Sequence, residues 1–413
     1  MPDRPMRFLH ASDFHLEEPL GGLVEVPDHL RDAFLEAPWT AAQRVFDAAL
    51  AEHVDFVVLA GDLLASEGIG PRGLLFLLEQ FERLASKDIQ VLWATGAVED
   101  VDAWPTSLAM PDHVHFFSRA RVEDVVVVRQ GQRIAQVTAT GYGGRQALRP
   151  AEFRPDKNGA FTVALAYGAA PSEQLAERPI DYWALGSEHA RRTLFTAPHV
   201  AHYPGSPQGR RPIEVGSHGC TLVVSSGAKQ LGLSFIPTDV VRWQAQRIVV
   251  GPDTTRDALE QLLDARMAEL ALGAGGTDQL VSWTIGGSGP AMASLRGARA
   301  TSDLLSRLRH DYGRRTPAIW STTLSVEPGS LPVPDAYEHE PQSLSGAFLQ
   351  AARELEACLP AEAISKMNLE GYLSDDDRAG PLGEALRLER PERRASILRQ
   401  SALLGAELLG GEG

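Results

Sequence analysis

Asp13 and His15, a carboxylate and an imidazole two residues apart, follow the apolar run Arg7-Phe8-Leu9-His10-Ala11-Ser12. Oxygen and nitrogen donors of this kind suit a transition-metal ion. If the chain stays extended through them, residues i and i+2 point to one side and both can face one ion. Three further strand ends repeat the theme. Asp62 follows Gly61 after the run 54–60, a short loop follows Gly96 after the run 89–94, and Gly186-Ser187-Glu188-His189 follows 182–185. A glycine beside a carboxylate permits a close backbone approach. Taken singly, His189 reads as a surface or capping residue and Asp62 as a turn or helix cap. Taken together, the strand ends point to a metal site.

The elements that must hold these residues follow from apolar periodicity. Residues 7–12 read as a first strand, 17–38 as a loop, and residues from Trp39 to about His53 as a helix with Ala42, Val45, Phe46, Ala49 and Leu50 on one face. Val54-Asp55-Phe56-Val57-Val58-Leu59-Ala60 reads as a strand buried on both faces of a parallel sheet. A helix over 74–84 and a strand over 89–94 complete a strand–helix alternation. That alternation predicts an α/β sheet binding its ligand at the carboxyl ends of the strands. Residues 125–128 and 134–140 read as a meander into a second sheet, joined by strands over 161–166 and 182–185. Residues 221–224 and 231–237 read as a hairpin.

After Arg242-Trp243 the pattern changes. Strands over 244–250, 280–285 and 318–326, with helices over 254–271 (capped by Asp253 or Thr254) and 301–312, predict a small α/β module. An acidic, proline-rich stretch and two amphipathic helices, 343–358 and 391–409, follow. The expected organisation is a domain over 1–243, a small α/β domain over 244–327, a linker over 328–342 and a helical segment over 343–413.

Composition sets outer limits. At 413 residues with 44% hydrophobic and 23% charged residues, the chain can build two or three ordinary cores. A formal charge of −15 excludes a broad basic nucleic-acid surface and leaves room only for a local basic groove. The two cysteines, Cys220 and Cys358, form neither a disulfide framework nor a metal-ligand spacing. No run reaches the roughly 18 apolar residues a spanning helix needs, and Met1-Pro2-Asp3-Arg4-Pro5 begins no signal-peptide pattern. The expected location is the cytoplasm, with no membrane partner.

Several stretches resemble the calcineurin-like metallophosphoesterases, and within them the SbcD- and YhaO-type DNA-repair exonucleases. They are His10-Ala11-Ser12-Asp13-Phe14-His15-Leu16, Val54-Asp55-Phe56 leading into Ala60-Gly61-Asp62, Asp181-Tyr182-Trp183-Ala184-Leu185-Gly186, and Tyr203-Pro204-Gly205-Ser206-Pro207-Gln208-Gly209-Arg210. Phe235-Ile236-Pro237 through Val241-Arg242-Trp243 resembles the end of that nuclease domain, so the likeness covers roughly residues 7–243. The resemblance implies a four-layer sandwich of two mixed β-sheets flanked by helices, with the small module as a capping domain. It also implies a two-ion, manganese-type centre that polarises a phosphodiester and stabilises developing charge. The C-terminal helices would dock on an SbcC-like coiled-coil ATPase, and homodimers occur in the family.

Carried over residue by residue, the first ion falls to Asp13, His15, Asp62 and His189, with Asp62 bridging to the second. The second set departs from the pattern. Where the family has an asparagine and a catalytic histidine after the third strand, this chain has Ala97 and Val98; two further histidines are Tyr167 and Ser187. Alanine and valine offer no lone pair, and a neutral tyrosine or serine is a poor ligand. The expectation is therefore one divalent ion, manganese by family, rather than two. Glu99, Asp100 and Glu188 are carboxylates that could substitute as ligands, or simply fill acidic loop positions. Arg191, Arg192, Arg210 and Arg211, with Arg145 and Arg149 from an earlier loop, read either as phosphate and DNA contacts or as solvated loop charge. Ile397, Leu398, Leu403 and Leu404 form either a docking face or a face packed on their own chain. The functional readings are a DNA-repair exonuclease, weak or inactive for want of second-site ligands; a non-catalytic subunit that binds DNA or a partner; and a small-molecule phosphoesterase.

Overall fold

The computed structural model describes residues 5–23, 25–64, 70–99, 104–105, 108–117, 121–144, 148–225, 231–295, 298–327 and 344–357, with 395, 397–398 and 401–402. The expected linker over 328–342, and Leu403 and Leu404 of the last expected helix, lie outside these residues. The chain divides into two compact units, the first built mainly from 1–244 and the second from 245–273, 281–315 and residues from 319 onward.

In the first unit, β1 (Met6–Ala11) leads to α1 (Asp28–Ala51), β2 (Phe56–Ala60), α2 (Pro71–Ala85), β3 (Gln90–Ala94) and β4 (Val114–Phe117). β5 (Glu123–Arg129), β6 (Gln132–Ala139) and β7 (Phe161–Tyr167) follow, then α3 (Ser172–Ala176), β8 (Tyr182–Gly186), β9 (Arg192–Phe195), β10 (Val200–Tyr203), β11 (Gly219–Ser225) and β12 (Leu231–Pro237). The strands form two six-stranded sheets, ordered β12-β11-β1-β2-β3-β4 and β5-β6-β7-β8-β10-β9. β1 to β4 run parallel, and β11 pairs antiparallel to β1. In the second sheet β6, β7, β8 and β10 are parallel, with β5 and β9 antiparallel at the edges. Both sheets are therefore mixed, and helices flank them.

The cores explain the order of layers. Phe8, Phe56, Val58 and Leu92 on one sheet meet Val137, Val163, Leu165 and Tyr182 on the other. On the outer face of the first sheet, Leu9, Val57, Leu59 and Trp93 pack against Val45 and Phe46 of α1 and Leu77 and Phe81 of α2. Each such side chain, fully buried, contributes about 1.5–3 kcal/mol. β2 is buried along its whole length, as its unbroken apolar run requires of a central parallel strand.

α1 begins eleven residues before the expected start at Trp39. Its buried face already recurs at Leu30, Phe34 and Ala37, and Pro38 sits inside the helix. A proline there removes one backbone hydrogen bond, and the continuous buried face outweighs that local cost. The strands β9 and β10 have only four residues each and carry no periodicity long enough to read.

The second unit centres on a three-stranded sheet, β13 (Val241–Val250), β14 (Asp278–Gly287) and β15 (Ile319–Val326). It carries α4 (Arg256–Gly273), α5 (Pro290–Ala293) and α6 (Ala298–Tyr312), and its core gathers Leu259, Leu263, Met267, Trp283, Leu304 and Leu308. The cap of α4 is Thr255, whose hydroxyl accepts from the Ala258 N–H at 3.2 Å, rather than Asp253 or Thr254. α7 (Leu344–Ala357) occupies the first of the two expected C-terminal helices. Among the described residues no helix is long and apolar enough to cross a membrane.

Candidate metal centre

The carboxyl ends of β1, β2, β3, β7 and β8 converge on one pocket. Gly186, the last residue of β8, makes this approach possible, because a Cβ there would overlap the carbonyl oxygen of Ala60 at the end of β2. Gly96 plays the same part after β3, where a Cβ would run into the backbone and carboxylate of Asp62.

Beyond the strands the backbone departs from the expected extended course. Asp13, His15, Asp62 and Ser187 all adopt positive φ, at 57°, 47°, 53° and 94°. Left-handed backbone at residues other than glycine is uncommon and collects at functional sites. The two loops stay zipped together by Asp13 N–H to Gly61 O, His15 N–H to Asp62 O and Leu16 N–H to Leu63 O, each 2.9 Å. Turns, not strand alternation, thus aim Asp13 and His15 into the pocket.

Asp13, His15 and His189 bring one donor atom each within 4.8 Å of one another. The Nε2 atoms of His15 and His189 face each other at 3.2 Å. Asp13 is fully buried; its Oδ2 accepts from the Ser12 hydroxyl and the Ser187 N–H, while its Oδ1 has no hydrogen-bond partner. Burial pushes the Asp13 carboxyl up to about 7, against the pull of Ser12 and His189. Burial, reinforced by the charge of Arg210, takes His15 down to about 4. A buried oxygen without a donor, opposite two imidazole nitrogens, is a donor set that fits one divalent cation.

Asp62 lies close by, with its Oδ2 3.9 Å from His15 Nε2, but its oxygens are engaged otherwise. The Tyr167 hydroxyl donates to Oδ2 and the Val98 N–H donates to Oδ1 at 3.0 Å. Burial and the Asp62 hydrogen bond both raise the Tyr167 pKa, so the phenol stays protonated. Glu99 does not point out as a spare ligand. It is buried, and its carboxylate accepts backbone N–H groups from Asp62, Leu63 and Gly96. Burial, with Asp62 adding to it, raises Glu99 to about 7 against those three donors. Ala97 is exposed and Val98 half-buried, neither with a donor side chain. Glu188 pairs with Arg192. Asp100 and Arg145 lie outside the described residues.

The arginines separate into two kinds. Arg210, expected as a phosphate contact, is 3% exposed and forms an ion pair with Glu18, so it belongs to the interior of the site. Arg191 and Arg192 are exposed, resting over the rings of Phe235 and Tyr203, and Arg211 is exposed. Arg149 pairs with Glu152.

Two acidic residues escaped the sequence reading. Glu214, between β10 and β11, meets His189 Nδ1 at 2.8 Å. Burial pushes Glu214 up, but the His189 bond and the Arg210 N–H outweigh it and hold it at about 2. Glu18 lies 3.6 Å from His15 Nδ1. Glu214 is the sole acidic residue between Glu188 and Asp239, but nothing in that spacing links it to His189.

Residues 6–194 match the family model of the calcineurin-like phosphoesterases. That stretch is similar to the calcineurin-like metallophosphoesterases. The chain is also 28% identical over 338 residues to the uncharacterized metallophosphoesterase YhaO of Bacillus subtilis (strain 168), covering 78% of this chain and 82% of that one. Among solved structures it is similar to vacuolar protein sorting 29 of Cryptosporidium parvum, at 15% identity and a TM-score of 0.27 over 57% of this chain and all of that one. It is similar also to the zinc complex of Vps29 from Entamoeba histolytica, at 13% identity and a TM-score of 0.24 over the same shares. Divalent metal binding is thus implied by the superfamily, and Asp13, His15 and His189 form a candidate site for it.

Proposed function

We propose that this chain is a phosphodiester hydrolase of the DNA-repair exonuclease lineage that holds a single divalent ion and turns over slowly. The observation that supports it is the contrast around Asp62. Asp13, His15 and His189 bring donor atoms to one point, with Asp13 Oδ1 lacking any protein partner, whereas the two Asp62 oxygens accept from the Tyr167 hydroxyl and the Val98 N–H. Asp13, His15 and His189 would hold the ion, with Asp62 at its margin. When bound, a divalent ion supplies Lewis-acid polarisation of a phosphoryl oxygen. The chain's own residues would orient the substrate: Arg191 and Arg211, both exposed, are the candidates to meet phosphate oxygens, and the Tyr167 hydroxyl stays protonated against Asp62. Val98 brings no proton donor to the leaving oxygen, and general acid help is worth about 10²–10⁴-fold.

Linear duplex DNA with Mn²⁺ tests this reading. From an ordinary turnover of about 10 s⁻¹, loss of general acid help alone leaves roughly 10⁻³–10⁻¹ s⁻¹. That activity is expected to vanish in Asp13→Ala. Turnover of about 10 s⁻¹ would overturn the proposal. Val98 also favours a second reading, a non-catalytic subunit that binds DNA or a partner; it predicts DNA binding with no Asp13-dependent cleavage at all. The proposal extends to an SbcC-like coiled-coil ATPase as partner, an expectation drawn from the resemblance of the sequence to the SbcD- and YhaO-type proteins. Co-purification of the full chain with such an ATPase tests it.

A further inference from the structure

The loop between β10 and β11 is fastened to the metal-site loop more tightly than a connection requires. The Ser206 N–H donates to the His189 carbonyl at 3.0 Å, and the Gly219 N–H donates to Ser206 O at 3.2 Å. His218 is buried, with Nδ1 2.9 Å from the Ser206 hydroxyl and Nε2 3.2 Å from the Glu214 carbonyl. The Glu214 N–H bonds Arg211 O at 2.9 Å. The Glu214 backbone is therefore held on both sides. Its carboxylate is held as well: Oε2 accepts from the Arg210 N–H at 2.6 Å, which leaves Oε1 facing His189 Nδ1 at 2.8 Å.

We propose that Glu214 is a positioning residue that fixes His189 as the Nδ1–H tautomer and aims its Nε2 lone pair at the point shared with Asp13 and His15. A carboxylate can only accept, so when the His189 ring is neutral its one proton sits on Nδ1 and the opposite nitrogen is left as an acceptor or ligand. A carboxylate behind a ligating imidazole also raises its basicity. The Arg210–Glu18 ion pair extends the same brace, because Glu18 flanks His15 Nδ1. Both imidazoles of the site are thus backed by glutamates tied to one arginine. The ligand role of His189 rests on the single-ion reading above; the tautomer does not.

Two measurements on the full chain separate these claims. Long-range ¹H–¹⁵N spectra of the metal-free protein, recorded at a pH alkaline enough to leave the ring neutral because the Glu214 bond raises the His189 pKa, with His189→Gln to assign the ring, are expected to show His189 as Nδ1–H in the wild type and not in Glu214→Ala. Titration with Co²⁺, followed by its visible absorption, is expected to show about 10–100-fold weaker binding in Glu214→Ala. Glu214→Gln, which keeps an acceptor oxygen, is expected to keep the tautomer and to bind less weakly than the alanine variant. If the alanine variant does not fold, the wild type itself decides, since a neutral His189 ring that carries its proton on Nε2 overturns the proposal. An unchanged tautomer in a folded Glu214→Ala overturns it too. If Co²⁺ binding survives His189→Ala, the single-ion reading fails instead, and the tautomer comparison still judges Glu214.

Discussion

On one side of the pocket, Asp13 Oδ1 is buried without a hydrogen-bond partner and two imidazole nitrogens face each other at 3.2 Å. On the other side, the oxygens of Asp62 and Glu99 accept hydrogen bonds from Tyr167 and from the N–H groups of Asp62, Leu63, Gly96 and Val98. Both sides stand on the same strand ends, and Asp13 and His15 on one side are buried, as are Asp62 and Glu99 on the other. The first leaves Asp13 Oδ1 unsatisfied by the protein, an arrangement that is costly unless a ligand completes it. The second satisfies its polar atoms internally, which makes it stable and chemically closed. Where the resemblance expects further metal ligands, this chain has a hydrogen-bonded network.

The strongest way to break this contrast is to rebuild the closed side. Placing asparagine at Ala97 and histidine at Val98, Tyr167 and Ser187 is expected to raise cleavage of linear DNA with Mn²⁺ by about 10²-fold or more. A folded quadruple variant with no gain would mean that the deficit lies elsewhere. A smaller effect is expected at Glu99, whose role is to brace the two loops. Glu99→Ala strands three backbone N–H groups, each costing about 1–3 kcal/mol, so urea unfolding is expected to show a loss of several kcal/mol. A loss under about 1 kcal/mol, the net worth of an ordinary hydrogen bond, would show that Glu99 is not that brace. The smallest effect is expected for Tyr167→Phe, with stability down by about 1 kcal/mol and Mn²⁺ affinity within about tenfold of wild type. A much larger loss of affinity would place the Tyr167 hydroxyl among the ligands and blur the two sides.

Much of this was legible in the sequence. β1, β2 and β3 are central parallel strands, and burial on both faces forces an unbroken apolar run that few other elements share. Asp13, His15 and His189 stood out by donor type at strand ends. The reason they converge was not legible: period-two spacing suggested extended chain, whereas left-handed turns and the cross-loop bonds to Gly61, Asp62 and Leu63 aim the side chains. Such turns depend on tertiary partners that local sequence does not display. The start of α1 was hidden by Pro38, which suits a loop by propensity but is held in the helix by packing. Glu214, 25 residues from the histidine it holds, belonged to no local pattern, and Arg210 looked like surface charge until its ion pair with Glu18 appeared.

The central claim is that one side of the pocket binds an ion and the other does not. Counting Mn²⁺ per chain by equilibrium dialysis and elemental analysis tests it most directly. The single-ion proposal predicts one tightly bound ion, lost in Asp13→Ala and retained in Tyr167→Phe. Two tightly bound ions per wild-type chain would contradict it.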